Sequence, residues 1–182
     1  MTAPHGWVHP CPDTPVAIAK KGSQFQVVAT QPVALGEKIL DIYGRRTAVP
    51  TMYSVQIGRD VHIDLHDDAM LEAYPERYIW RFLNHRCQPN AVMRGTELFA
   101  LEPIQPGDEV TFNYNANEYE MATPFRCLCP THHGKTGVLI RGYKYLSETE
   151  RFALRNTASP HVLEAARVFE TKSDGLLRDS YD

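Results

Sequence analysis

Asn84-His85-Arg86-Cys87-Gln88-Pro89-Asn90 is the stretch of sequence that decides the fold of this chain. It cannot form a helix interior or a central strand, because Pro89 has no N–H to donate and asparagine side chains bond neighbouring backbone. It follows an apolar run that includes Tyr78, Trp80 and Phe82, which we expect to be buried. A polar loop that leaves a buried element in this way is suited to recognising a polar ligand.

A second run, Asp108-Glu109-Val110-Thr111-Phe112-Asn113-Tyr114, has the alternating pattern of a strand. Val110, Phe112 and Tyr114 fall on one face of it, and the predicted strand ends in a phenol. Packing alone explains neither of the two runs, so both are candidates for a functional site.

Together the two runs resemble the paired C-terminal motifs of the SET-domain methyltransferases. The first motif is Asn-His-x-Cys-x-Pro-Asn at 84–90, and some 20 residues on comes Gly-Asp-Glu-Val-Thr-Phe-Asn-Tyr at 107–114. The resemblance extends from about Phe25 to Tyr145, roughly two-thirds of the chain. It implies small curved sheets around a pseudoknot-like loop, followed by C-terminal helices.

Turn signals elsewhere also predict a mostly-β fold with short helices. Short apolar runs recur every 8–12 residues between glycines and prolines, with hairpins about Gly58-Arg59-Asp60 and Gly95-Thr96. Helices are predicted from an Asp67-Asp68 cap, from a Ser147/Glu150 capping box and from Ser159-Pro160. The predicted segments are an N-terminal arm (1–15), the SET domain (16–120), a post-SET-like segment (121–146), C-terminal helices (147–170) and a flexible tail (171–182).

Composition narrows the classes of function. The 182 residues are 43% hydrophobic and carry a net charge of −3 with no basic block, which argues against direct binding of nucleic acid. No apolar run reaches the length of a membrane span, and the first 25 residues lack a signal-peptide core. We therefore expect no membrane association and a location inside the cell, cytoplasmic or nuclear.

The resemblance also implies an activity and the residues that perform it. The family transfers a methyl group from S-adenosyl-L-methionine to a lysine amine of a protein or peptide, and Tyr114 stands at the position of its catalytic tyrosine. Asn84 and His85 stand where the family contacts the cofactor, while Asn90 is expected to tie the loop to neighbouring backbone. Two alternatives stay open: a small-molecule amine as the substrate, or a SET-like binding module without activity.

The sequence departs from the family at the third motif, where Gly-x-Gly normally lets the backbone approach the cofactor. Gln24, Phe25 and Gln26 stand there, so either the side chains turn outwards or the pocket is partly filled. The resemblance implies a cofactor site formed by Gln24, Phe25, Gln26, Asn84, His85 and Tyr114. The predicted substrate channel comprises Tyr43, Tyr53 and Phe112. Asn113 is a milder departure, since an aspartate usually precedes the tyrosine.

The cysteines suggest one structural zinc ion. The family often joins the loop cysteine to Cys-x-Cys-x4-Cys in a tetrahedral site, and this chain keeps Cys87, Cys127 and Cys129 but has Gly134 at the last position. His133, or its neighbour His132, would complete a Cys3His set, which is a common structural zinc site. The alternative is that these residues bind no metal. Cys87 would then be a small buried residue, the spacing of Cys127 and Cys129 would be a coincidence, and both histidines would lie on the surface.

Overall fold

Five small β-sheets and four α-helices form the part of the chain that the structure describes. The computed structural model describes residues 7–132 and 137–178, with side chains over 9–132 and 137–169. The strands are β1 (Trp7–Pro10), β2 (Val16–Lys21), β3 (Gln24–Ala29), β4 (Lys38–Asp41), β5 (Arg45–Thr47), β6 (Val55–Gly58), β7 (Val61–Asp64), β8 (Asn84–His85), β9 (Ala91–Arg94), β10 (Glu97–Ala100), β11 (Thr111–Phe112), β12 (Phe125–Cys127) and β13 (Val138–Ile140). The α-helices are α1 (Asp68–Ala73), α2 (Tyr114–Asn117), α3 (Glu148–Ala153) and α4 (Pro160–Arg178). The prediction of a mostly-β fold with short helices is confirmed.

The sheets are small because turns at glycine and proline residues keep the strands short. Their strand orders are β1-β2-β3, β5-β7-β6 and β4-β10-β9, with two-stranded sheets β8-β11 and β12-β13. The hairpins predicted about Gly58 and Gly95 are both present, as β6/β7 and β9/β10. Gly95 has a φ of 63°, a left-handed conformation that glycine adopts without a Cβ clash.

One hydrophobic core joins four of these sheets to a 3-10 helix at Pro75–Phe82. Ile18, Met93 and Leu98 are fully buried in it, and each such side chain contributes roughly 1.5–3 kcal/mol by leaving water. Trp80 is 2% exposed, and its indole N–H donates to the Tyr43 carbonyl at 3.1 Å. The buried 3-10 helix therefore fixes the point at which the 84–90 loop leaves the core.

The helices begin at the predicted caps. The Asp67 carboxylate accepts from the Ala69 N–H at 3.0 Å at the start of α1, and Ser147 and Glu150 form a reciprocal capping box on α3. Helix α4 packs with Tyr143 in a second hydrophobic core. No helix in the described stretches combines the length and the apolar composition needed to cross a lipid bilayer.

Three predicted boundaries were wrong. Residues 7–10 of the predicted arm form the edge strand β1, where Pro10 is tolerated because an edge needs fewer backbone donors. The predicted strand to Tyr114 is regular only at β11, because Asn113 caps helix α2 and Tyr114 is its first residue. Helix α4 continues through Arg178 into the predicted tail.

Candidate active site

The two sequence motifs meet in the short parallel pair of β8 and β11. Asn84 lies opposite Thr111 and His85 opposite Phe112, and the Arg86 N–H donates to the Phe112 carbonyl at 3.1 Å. The 84–90 loop is thereby held against residues that follow it by more than 20 positions. This is the pseudoknot-like arrangement that the resemblance implied.

Two asparagines secure this pairing. The Asn90 amide donates to the Glu109 carbonyl at 2.9 Å and accepts from the Thr111 N–H at 2.9 Å, as an extra peptide group would. The structural role expected for Asn90 is therefore confirmed. Asn113 donates from Nδ2 to the Cys87 carbonyl at 3.3 Å. An ionised aspartate has no donor for this contact, so the departure from the family pattern adds a bond between the two motifs.

Tyr114 is held at both its backbone and its phenol. Its N–H donates to Nδ1 of His85 at 3.1 Å, and its hydroxyl donates to the Leu83 carbonyl at 2.6 Å. Its ring centroid lies 4.7 Å from that of Phe112 and 5.8 Å from that of Phe125, within the range of favourable aromatic pairs. The position and orientation of the phenol are thus fixed from three sides.

The phenol of Tyr114 is an acceptor at neutral pH. Burial raises its pKa, and the negative charges of Glu118 and Glu109 raise it further. The hydroxyl hydrogen is already committed to the Leu83 carbonyl. Its lone pairs remain for an N–H of an incoming amine or for a polarised C–H group.

His85 is neutral and orients its neighbours. Burial lowers its pKa to about 4, and the nearby charge of His132 acts in the same direction. Because Nδ1 accepts from the Tyr114 N–H, the proton is assigned to Nε2, which lies 3.3 Å from Sγ of Cys87. One imidazole therefore connects the tyrosine with the cysteine cluster.

A cleft of about 660 Å³ opens beside this imidazole. Its lining includes the 84–86 loop, Tyr114, and Phe125–Cys127 with the residues after it. The volume lies within the range of sites for cofactors and other small molecules. The cleft thus has room for a cofactor next to the phenol.

Asn84 enters the cleft with one polar atom left for a ligand. Its Nδ2 donates to the Phe25 carbonyl at 3.0 Å and to Oε1 of Glu109 at 2.8 Å. Both of its amide hydrogens are therefore used, and Oδ1 is left to accept a bond. A carbonyl oxygen is suited to an ammonium group such as that of an amino-acid moiety.

Gln24, Phe25 and Gln26, which replace the Gly-x-Gly motif of the family, line three different pockets. Gln24 lines the 660 Å³ cleft, whereas Phe25 lies in an adjoining pocket and packs on Phe82 at 5.4 Å between ring centroids. Gln26 is buried at a third place, next to Arg86. The side chains of Phe25 and Gln26 do not line this cleft, and a contact of either residue with the cofactor stays a prediction. None of the three side chains fills the cleft.

A narrow cavity of about 70 Å³ reaches Tyr114 from another direction. It is lined by Leu83 and Phe112 at its inner part and by the 50–55 segment, which includes Tyr53. This volume corresponds to roughly five water-sized groups, enough for the last four non-hydrogen atoms of a lysine side chain. The cavity and the cleft share Tyr53, Leu83 and Tyr114 in their walls.

Tyr43 does not belong to this channel. Its ring packs on Tyr78 at 5.9 Å between centroids, and it lines neither the cavity nor the cleft. The residue after Tyr43 must be glycine, because a Cβ at Gly44 would lie 2.3 Å from the carbonyl oxygen of Asp64. Tyr53 and Phe112 line the narrow cavity and Tyr43 does not, while the substrate-channel role of all three stays a prediction.

Arg81 is a candidate site residue that the sequence patterns did not reveal. Its guanidinium stacks 4.0 Å above the Tyr53 ring, and its Nε and one terminal nitrogen are buried with no hydrogen-bond partner. Burial lowers its pKa. It borders both the cleft and the cavity. The sequence feature that could have identified Arg81 is the presence of a cation inside the apolar run at 78–83.

Glu118 is the second missed residue. It lies one helical turn after Tyr114, lines the narrow cavity and is 8% exposed. The Gln56 N–H and Nδ2 of Asn117 donate to its Oε1 at 2.9 and 3.2 Å. In a helix, the spacing of four residues would have placed Glu118 on the same face as Tyr114. The sequence pattern predicted a strand up to Tyr114, so this spacing was not recognised.

Four potential metal ligands converge at the edge of the cleft. The ligand atoms of Cys87, Cys127, Cys129 and His132 all lie within 4.8 Å of one another. Sγ of Cys87 is 4.0 Å from that of Cys127 and 3.3 Å from Nε2 of His132. A tetrahedron with Zn–S bonds of about 2.3 Å has edges of about 3.8 Å, so this set fits a zinc ion. His133, the predicted fourth ligand, lies outside the described residues.

The thiols of this cluster favour a cation as partner. Burial raises the pKa of Cys87, and the neighbouring Cys127 and Cys129 raise it further. Burial acts in the same sense on Cys129, but hydrogen bonds from the backbone of Cys87 and from Thr131 bring its pKa to about 7. Metal ligation would remove the cost of placing these sulfurs together, because a zinc ion deprotonates its thiol ligands.

Known proteins similar to this chain carry SET domains. It is 33% identical over 138 residues to the variant-silencing SET domain-containing protein of Plasmodium falciparum (isolate 3D7), covering 66% of this chain and 5% of that protein. It is 31% identical over 129 residues to the H3 lysine-36 specific histone-lysine N-methyltransferase of Yarrowia lipolytica, covering 63% of this chain and 16% of that protein. The chain therefore spans only a small part of the length of these relatives.

Among solved structures, KRYPTONITE in complex with mCHG DNA and SAH aligns with a TM-score of 0.47 and 21% identity, over 65% of this chain and 27% of that chain. The family model of the SET domain matches residues 24–115, just over half of the chain. That match contains both sequence motifs, the parallel pair that joins them and Tyr114. The chain belongs to the SET-domain family.

Proposed function

We propose that this chain is an S-adenosyl-L-methionine-dependent methyltransferase that acts on a lysine amine of a protein or peptide. One observation carries the proposal: a cofactor-sized cleft and a lysine-sized cavity have Leu83 and Tyr114 as common walls. A donor in the cleft and an amine in the cavity would meet at the Tyr114 phenol. The name of the Yarrowia lipolytica relative, a histone-lysine N-methyltransferase, supports the same substrate class.

The residues of the chain would act by binding and orientation. When bound, S-adenosylmethionine supplies a methyl group on a positively charged sulfur. Oδ1 of Asn84 is placed to hold the polar end of such a ligand, and the Arg81 side chain borders the same cleft. The Tyr114 oxygen would accept a hydrogen bond from the amine and so orient the amine nitrogen, while Phe112, an apolar part of the cavity wall, would exclude water.

The cysteine cluster would support the cleft rather than take part in the reaction. A zinc ion held by Cys87, Cys127, Cys129 and His132 would join the 84–90 loop to the segment after β12. Both segments line the cleft. The Nε2–H of His85 would then donate to the Cys87 sulfur, which couples the metal site to the Tyr114 backbone.

Calorimetry with S-adenosylmethionine and its product S-adenosylhomocysteine tests the proposal, followed by methylation assays on a pool of lysine peptides. We expect binding of both ligands and methyl transfer that Tyr114→Phe abolishes or slows. Tyr145→Phe is the matched control, because Tyr145 is an exposed tyrosine that bonds Glu120 outside the two cavities. Absence of binding would instead favour a SET-like module without activity, and binding without peptide turnover would favour a small-molecule amine.

We also propose a partner and a location for the protein. The partner is a protein or peptide that presents a lysine, and the location is inside the cell, in the nucleus or the cytoplasm. The expectation of no direct nucleic-acid contact rests on the net charge of −3 alone. KRYPTONITE was solved with DNA, so a DNA-binding assay belongs with the activity assay.

A further inference from the structure

Glu118 places a carboxyl group in the wall of the narrow cavity that receives the amine. Its N–H donates to the Tyr114 carbonyl at 2.8 Å, so the two side chains leave the same face of one helical turn. Its side chain is 11% exposed, and it lines the cavity together with Tyr114 and Phe112. The acid and the phenol therefore face one small space.

The two oxygens of this carboxyl group differ in their partners. Oε1 is held by the Gln56 N–H and by Nδ2 of Asn117. Oε2 has His62 Nε2 at 4.0 Å, which exceeds hydrogen-bond length, and no other donor among the described residues bonds to it. One oxygen is thus anchored, and the other can take a donor from a ligand.

The groups that face Glu118 do not compensate its charge. On β7, burial lowers the pKa of His62, and the charge of His161 on α4 lowers it further. Burial also lowers the pKa of His161 itself, and Tyr114 is neutral. Arg81, on another wall of the cavity, stacks on Tyr53. Burial consequently raises the pKa of Glu118 to about 7, although its bonds from Gln56 and Asn117 oppose the shift.

A lysine arrives in water as an ammonium ion, yet only the free amine has a lone pair to react. Neither group beside the reacting position can take its extra proton. The Tyr114 phenol is neutral and donates its own hydrogen to Leu83, and Nδ1 of His85 already accepts from the Tyr114 N–H. Burial lowers the pKa of an amine and raises that of a carboxyl, so transfer between the two becomes accessible inside the cavity.

We propose that Glu118 binds the ammonium form of the incoming amine through Oε2 and accepts one proton from it. One N–H bond breaks with its electron pair staying on nitrogen, and one O–H bond forms, so an ammonium and a carboxylate become an amine and a carboxylic acid. The freed amine then bonds to the Tyr114 oxygen. This inference rests on the proposed function and adds a catalytic residue to it.

The test uses the full-length chain with S-adenosylhomocysteine and butylammonium chloride, which carries the ammonium group and four carbons of a lysine side chain. Carbon-13 NMR follows the carboxyl resonance of Glu118. We expect butylammonium to shift this resonance and to lower the pKa of Glu118, and we expect n-butanol to do neither. An unchanged resonance would overturn the inference without any variant.

Substitution gives a second, independent measurement. Glu118→Gln keeps an oxygen for Gln56 and Asn117 but removes the charge, and we expect butylammonium to bind at least about tenfold more weakly. Glu120→Gln is the matched control, because Glu120 is an exposed acid two residues on that pairs with Lys144. Equal binding by Glu118→Gln and wild type would show that the acid is only structural. Calorimetry of S-adenosylhomocysteine on the same samples separates this failure from failure of the proposed function.

Discussion

Glu118→Gln should change how the stability of the protein depends on pH. Burial raises the Glu118 pKa from 4.5 to about 7 in the folded state. An acid whose pKa is raised on folding contributes stability below its unfolded pKa and loses it as the pH rises through the folded value. A shift of about 2.5 units corresponds to about 3 kcal/mol. Relative to Glu118→Gln, the wild type should therefore lose about 3 kcal/mol of unfolding free energy between pH 4 and pH 8.

Urea unfolding of both proteins at half-unit pH steps measures this difference, and the pH dependence that they share cancels. Glu120→Gln is again the control, and its effect has the opposite sign. The hydrogen bond from Lys144 lowers the pKa of Glu120, so that acid contributes stability at high pH, and exposure keeps the effect small. Parallel stability curves for wild type and Glu118→Gln would refute the view of Glu118 as a buried acid near neutrality.

Three further outcomes follow from the site. Tyr114→Phe removes the hydroxyl and its bond to the Leu83 carbonyl, so turnover should fall at least about tenfold, about 1.4 kcal/mol of barrier, while calorimetry shows cofactor affinity largely unchanged. Metal analysis of protein purified without chelator should find close to one equivalent of zinc, and Cys87→Ser should lower both this content and the melting temperature; a fully folded wild type without metal would contradict the site. Tyr53→Ala should weaken cofactor binding or turnover, whereas Tyr43→Ala should leave both intact in the same assays.

Local sequence signals accounted for the elements that depend on neighbouring residues. The hairpin about Gly95 and the Ser147/Glu150 capping box formed as predicted, because glycine conformation and cap chemistry act within a few residues. The structural role of Asn90 also followed from its motif. By contrast, the helical start at Tyr114 was missed, since alternation in residues 108–114 suits a strand and the Asn113 cap outweighs it in the last two positions.

The amino-acid sequence alone determined the family, the mostly-β class and the pair of motifs that contain Asn84, His85 and Tyr114. Tertiary structure alone placed Tyr53, and not Tyr43, in the wall of the narrow cavity and brought His132 to the three cysteines. It also holds Glu118 at the narrow cavity, through a hydrogen bond from the N–H of Gln56, which lies 62 positions earlier in the chain. The physical reason is range: periodicity and turn chemistry act between near neighbours, whereas the walls of a cavity are assembled from segments whose proximity no local pattern records.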